Sequence, residues 1–130
     1  MKLTNPDNYD QEDIELAFEY FVTSAQDIVD EYMNNRFPML PRPAVEVRPG
    51  KVYWKMVKVT EQDGPNRPYS EPIKSEYVYG FVRKSDGAIF KAASFKAPYT
   101  KGPSAVRGYV TDEWAKSTLT PHGVIYARWK

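Results

Sequence analysis

Apolar side chains recur at spacings of three and four from Ile14 onward, through Ala17, Phe18, Phe21, Ala25, Ile28, Val29 and Tyr32. That spacing is the signature of an amphipathic helix. It predicts a helix over residues 10–35, capped by Asp10 or a neighbour, with Gln11, Glu12, Asp13 and Glu15 where the helix dipole favours negative charge. Phe37-Pro38 ends it, because the residue before proline is pushed away from helical dihedrals. The polar side carries Glu12, Glu15, Glu19, Gln26 and Asp30, so the exposed face is expected to be acidic.

After the PMLPRP connection the period falls to two. Residues 44–48 and 51–60 read as strands around the turn pair Pro49-Gly50. In the second, Val52, Trp54 and Met56 alternate with Lys51, Tyr53 and Lys55, until Val57-Lys58-Val59 shifts the phase and predicts a bulge near Met56. Residues 61–72 are a polar, proline-containing loop. Residues 75–84 and 88–92 form a hairpin closed by Ser85-Asp86-Gly87, with Tyr77, Tyr79 and Phe81 expected on one face. Residues 94–120 lack periodicity and read as a long irregular loop, and 123–129 alternate as a last strand. The fold class is α+β: one long N-terminal amphipathic helix packed on a twisted antiparallel sheet of about four to five strands. Residues 1–130 form a single domain, with 44–130 its β-rich region.

Charge sharpens this picture. Residues 1–36 hold nine acidic side chains against Lys2 and Arg36, a balance of −7, and residues 37–130 a balance of +8. The densest basic stretch, Arg83, Lys84, Lys91, Lys96, Lys101 and Arg107, is opposed only by Asp86. With Ser94 and Tyr99, these residues are the candidate nucleic-acid-binding set, since cations track phosphates and aromatic rings stack on bases without demanding a sequence. The bland alternative is a hairpin edge kept soluble by lysines around a partly buried aromatic set.

Other chemistry is thin. The sequence has no cysteine, which excludes disulfides and thiolate nucleophiles, and the single histidine, His122, sits in a turn and sets up no zinc site. Ser94 with Lys96 is not supported by a second hydrolase motif. Lys101 to Gly108, KGPSAVRG, offers backbone for an anion nest but lacks the P-loop pattern. No enzyme activity, cofactor or metal is expected. There is no apolar run near the roughly eighteen residues a membrane span needs, so a soluble protein without a membrane partner is expected.

The segment Val78 to Val110 resembles a motif of small, mostly uncharacterised tailed-bacteriophage proteins. In that family a D-G or T-G turn precedes K-x-A-S-[WF]-K-A-P and then an Arg-Gly pair. The matching residues here are Gly87, Lys91, Ala93, Ser94, Phe95, Lys96, Ala97, Pro98, Arg107 and Gly108, within a segment that covers about a quarter of the chain. The insertion between Pro98 and Arg107 is longer than in the family, and Tyr109 stands where Asn is more common. The resemblance implies a viral source and a compact helix-plus-sheet domain; Lys91, Ser94, Lys96 and Arg107 are the site candidates where the shared motif and the local charge maximum coincide, and a structural role is equally open, with Ser94 bonding backbone and Pro98 and Gly108 setting turns. The resemblance implies no activity. The expectation is a phage accessory protein, in the host cytoplasm or the virion, that binds nucleic acid weakly and without sequence preference. The alternative is a protein-interaction component, a virion part or an inhibitor of a host protein.

Overall fold

The structure, a computed structural model, describes residues 9–62, 73–102 and 105–124. Helix α1 spans Gln11–Arg36, and its start is a reciprocal cap. The Asp10 carboxylate accepts from the Asp13 N–H at 2.9 Å while Asp13 accepts from the Asp10 N–H at 3.4 Å. At the other end the Phe37 N–H reaches the Met33 carbonyl at 2.8 Å, and Pro38 prevents another turn. Ile14, Phe18, Phe21, Ala25, Val29 and Met33 are buried along one stripe.

Five strands form an antiparallel meander in chain order: β1 (Ala44–Pro49), β2 (Tyr53–Gln62), β3 (Ile73–Arg83), β4 (Ala88–Phe90) and β5 (Gly108–Tyr109). A short 3-10 turn, Ala115–Thr118, leads to a separate pair, β6 (Leu119–Thr120) and β7 (Gly123–Val124). The α+β architecture read from the sequence therefore holds. The stretch 94–120, expected to be one irregular loop, contains β5, the 3-10 turn and β6. Each of these strands is two residues long, too short for any hydrophobic period to show. Of the last strand expected over 123–129, residues 123–124 are β7, and 125–129 lie outside the described residues.

The sheet is covered on both sides. Helix α1 packs on the face bearing Trp54, Met56, Tyr79, Val82 and Ile89. Phe18 stacks on Trp54 with ring centroids 4.2 Å apart and planes 9° from parallel. Such a pair adds about 0.5–1.5 kcal/mol beyond its buried area. The opposite face holds a smaller cluster of Phe81, Ala88, Phe90 and Ala105, edged by Tyr53, Val78 and Tyr109. Covering both faces explains why β2 breaks alternation: Met56 and Val57 are both 0% exposed, one under the helix and one on the far side.

The expected bulge exists, but its extra residue is on the neighbouring strand. Met56 pairs with Gly80 and Val57 with Val78, which leaves Tyr79 unopposed. The bulge turns Tyr79 into the helix-side core at 2% exposure, where its hydroxyl donates to the Thr120 carbonyl. Burial pushes the phenol well above its ordinary pKa. Phe81 points to the opposite face and is 3% exposed, and only Tyr77 stays open at 62%. The three aromatics thus make no shared platform, which corrects the sequence expectation. Gly80 is the matching small residue: a Cβ there would lie 2.9 Å from a Val124 methyl.

Gln26 and Asp30, expected on the solvated side of α1, are partly buried instead. The Gln26 amide donates to the Pro43 carbonyl at 3.0 Å and accepts from the Val45 N–H at 2.7 Å. This ties the proline-rich connection to the helix and sets where β1 begins. Glu12, Glu15, Glu19, Asp27 and Glu31 remain exposed, so the outer side of α1 is acidic.

Candidate functional site

The family-like stretch Lys91 to Tyr99 folds as a tight hairpin. The Tyr99 N–H donates to the Lys91 carbonyl at 2.8 Å, Ala93 and Ser94 N–H both reach the Ala97 carbonyl, and Ala92 bridges Pro98. Pro98 fits because the pairing asks nothing of its nitrogen. At the tip, Ser94 Oγ accepts from the Lys96 N–H at 3.2 Å, a local bond that closes the turn carrying Phe95 and Lys96. Ser94 is thereby given a structural task.

Phe95 folds back over the sheet face away from α1, and the Lys55 ammonium lies 3.5 Å from its ring centroid. Beside it is a cleft of about 330 Å³ lined by Arg48, Lys51, Tyr53, Lys55, Phe81 and Lys96. β-Pairing builds it: Arg48 stands opposite Lys55 in β1–β2, and Lys55 opposite Phe81 in β2–β3, so all three share one face. The hairpin then adds Lys96 from above. Burial holds Lys55 below the ordinary lysine pKa, Arg48 and Lys96 push it further down, and Glu76 opposes them. Arg48 is itself bound by both Glu76 oxygens, at 3.0 and 2.7 Å, and lies 3.7 Å from Glu46. That contact raises the Arg48 pKa and lowers that of Glu76. Four cations against two carboxylates leave the cleft positive.

A larger cleft of about 550 Å³ lies on the other side of Phe95, lined among others by Lys58, Glu76, Tyr77, Ser94 and His122. The Lys58 ammonium there donates to the Pro121 carbonyl at 3.0 Å, and burial lowers its pKa. With Glu76 alongside, this space carries no comparable excess of charge.

The eight residues singled out from the sequence separate into two groups. Lys91, Ser94, Lys96, Tyr99 and Lys101 lie together on the hairpin and its continuation, with Lys91 5.3 Å from the Tyr99 ring centroid. The other three are placed differently. Arg83 is committed to the β3–β4 turn, its guanidinium donating to both Asp86 oxygens at 3.0 and 2.7 Å. Burial works against the charge on Asp86, but Arg83 and the Ala88 N–H together hold its carboxyl below the ordinary value. Lys84 sits near the start of α1, where its carbonyl accepts from Gln11 and its ammonium is 6.0 Å from the Trp54 ring. Arg107 is 4% exposed, and its N–H donates to the Ile89 carbonyl at 2.7 Å, continuing the β4–β5 pairing into the interior. It belongs to the packing of the domain rather than to the open basic surface, because its backbone follows a strand that the fold buries. The loop considered as an anion nest includes residues 103–104, which lie outside the described residues.

Sequence reasoning missed Arg48, Lys51 and Lys55 as site residues. The signal was present in the alternation of Lys51, Tyr53 and Lys55, although β2 begins at Tyr53 rather than at the expected residue 51 and leaves Lys51 in the turn before it. What it lacked was a reason to join those residues to Lys96.

Among the described residues no group of three or more metal-ligating side chains is found, and no helix is long and apolar enough to cross a membrane. Neither a curated protein nor a solved structure matches the chain. The profile of a family of unknown function, DUF7717, matches residues 7–119, which takes in α1, the whole five-stranded sheet and the hairpin that builds the cleft, and the chain belongs to that family.

Proposed function

We propose that this chain is a small non-enzymatic accessory protein of a tailed phage, acting in the host cytoplasm, that binds nucleic acid weakly and without sequence specificity. Single strands are preferred over duplex. The observation that supports this is the convergence of Arg48, Lys51, Lys55 and Lys96 on a cleft walled by Tyr53 and Phe81, with Phe95 over Lys55 and the Lys91–Tyr99 pair on the same hairpin as Lys96. Phosphates meet the cations, while the exposed edge of Phe95 and Tyr99 offer rings to unstacked bases. The sheet is too well covered to act as a flat platform, so the strand runs along the hairpin and cleft.

Polarisation titrations with short labelled DNA and RNA at several salt concentrations test this. With about four phosphates engaged, log affinity for duplex falls against log salt with a slope near −3.6, less steeply for a single strand. Lys55→Ala with Lys96→Ala flattens the slope. Absence of binding at low salt, or binding indifferent to these changes, removes the proposal.

One observation favours a second reading, a protein-interaction component of the virion or against a host protein. Phe37, Met39 and Leu40 beside the edge strand β1 are 43%, 92% and 55% exposed. Such a run is unusual on a surface without a partner. Mass spectra of purified particles that contain this chain in fixed stoichiometry would support the virion version.

A further inference from the structure

The outer surface of α1 carries a feature that the nucleic-acid reading does not use. Leu16 and Tyr20, one turn apart, are 55% and 74% exposed. Two adjoining clefts of about 420 and 190 Å³ open beside Tyr20, and both are walled by Ala17, Tyr20 and Val110. Asp13 lines the first and Glu113 the second, with Lys116 the cation on that wall. Glu12, Glu15 and Glu19 stand exposed on the same helix. The result is an apolar groove whose edge carries Asp13 and Glu113 against Lys116, on a helix whose outer side is acidic, suited to an aromatic or aliphatic knob flanked by basic residues.

The chain carries such a knob. Phe95 is 43% exposed at the hairpin tip, next to Lys96 and with Lys91 and Lys101 exposed nearby. No acidic residue occurs between Asp86 and Asp112. Within one molecule the two cannot meet, since α1 covers one face of the sheet and the hairpin lies against the other. We propose that the groove of Ala17, Tyr20 and Val110, edged by Asp13 and Glu113 and with Leu16 exposed on the same helix, receives the basic Phe95 tip of a second copy of this chain.

Such a contact is heterologous, groove to knob, so it leaves a free groove at one end and a free knob at the other. It is also small, well under the roughly 1,200 Å² of a stable complex, and therefore weak and concentration-dependent. Complementary charge around groove and knob makes it salt-sensitive. Because the knob borders the basic cleft, bound nucleic acid competes with it.

Sedimentation velocity over a range of concentrations tests this without reference to nucleic acid. At low salt the weight-average mass of the wild type rises with concentration, and about 0.5 M salt abolishes the rise. In the groove variant Leu16→Ser/Tyr20→Ser, the change at Tyr20 strips a shared wall of the two clefts and that at Leu16 the exposed apolar residue on the same helix, while Phe95→Ser/Lys96→Ser removes the knob; all four positions are exposed, and circular dichroism verifies the folding of each variant. Each variant alone stays monomeric. Mixed, they form a one-to-one pair, because the first retains its knob and the second its groove. A monomeric wild type at every concentration overturns the proposal, as does self-association by either variant or a mixture that fails to pair. A monomeric wild type that nonetheless binds a labelled basic phenylalanine peptide would give the groove to a foreign protein and likewise overturn it. The groove variant keeps wild-type affinity for nucleic acid, so failure here and failure of the nucleic-acid reading are separable.

Discussion

The Lys55 ammonium lies 3.5 Å from the centroid of the Phe95 ring, so a lysine of β2 is roofed by a hairpin that follows two strands later. Its other neighbours are Arg48 and Lys96, which disfavour its charge, and Glu76, which favours it. A cation gathered among cations and partly taken out of water is a poor choice for stability and a good one for meeting an anion.

Lys55→Met is therefore expected to stabilise the fold. The folded-state pKa of Lys55 is below its unfolded value, so the charged form costs stability at neutral pH, and that cost disappears as pH rises from the folded pKa towards 10.5. Methionine keeps the stem and a favourable contact with the Phe95 ring while removing the charge. Urea denaturation should show a gain of a few tenths to about 1 kcal/mol. The same variant should bind DNA less tightly, with the salt slope reduced by about 0.9 for the lost phosphate contact. Lower stability together with unchanged binding would refute the assignment.

Asp86 is the polar key of the β3–β4 turn, accepting from the Ala88 N–H at 3.0 Å and from Arg83 at 3.0 and 2.7 Å. Asp86→Ala should cost about 1–3 kcal/mol, and Asp86→Asn less, since the amide oxygen can still serve Ala88. The folded pKa is depressed, so the contribution is complete above the ordinary value of 3.8 and is lost as pH falls through the lowered one. Acid denaturation followed by circular dichroism should be shallower for Asp86→Ala.

Much of this fold is legible in the sequence because its determinants are local. The Asp10 cap, the stripe from Ile14 to Met33 and the Ser85-Asp86-Gly87 turn all act within a few residues. Gly87, at φ +78°, takes the left-handed conformation that the turn requires. The site is less legible because it is made by register. Counting charge along the chain points to Arg83 through Arg107, yet that window contains an ion-paired arginine, a buried arginine and three exposed lysines. Lys55 meets Lys96 only because β2 lies beside β3 and the hairpin folds back over both. Likewise, Tyr79 leaves the face of Phe81 through a bulge whose position shows only in pairing.

Gly80 and Val124 offer a test of that bulge. A Cβ on Gly80 would stand 2.9 and 3.0 Å from the two Val124 methyls, the first closer than real Cβ atoms come and the second at the tight end of what they show. Gly80→Ala should destabilise by about 1–3 kcal/mol through overpacking. Val124→Ala alone also destabilises, by loss of buried methyls. The double variant should be less destabilised than the sum, with a coupling of about 0.5–3 kcal/mol in denaturant titrations. Strict additivity would mean that β7 does not sit against the bulge.

Arg107 and Lys96 belong to the same family-like motif, and the structure separates their roles. Arg107 is 4% exposed and its backbone extends the β4–β5 pairing, whereas Lys96 is exposed at the mouth of the basic cleft. Truncating a long buried side chain leaves a void and disrupts its surroundings, so Arg107→Ala should cost about 1–3 kcal/mol and lower the thermal midpoint. Assayed well below that midpoint, it should bind DNA within about twofold of wild type, because at constant temperature the folded fraction alone is affected. Lys96→Ala should do the reverse, leaving the midpoint in place and weakening binding, more strongly at low salt than at high. Measuring both variants by calorimetry and by polarisation makes the comparison a crossed one. If Arg107→Ala lost binding with no change in midpoint, Arg107 would have to reach the surface, and the basic face would extend from the hairpin towards β5.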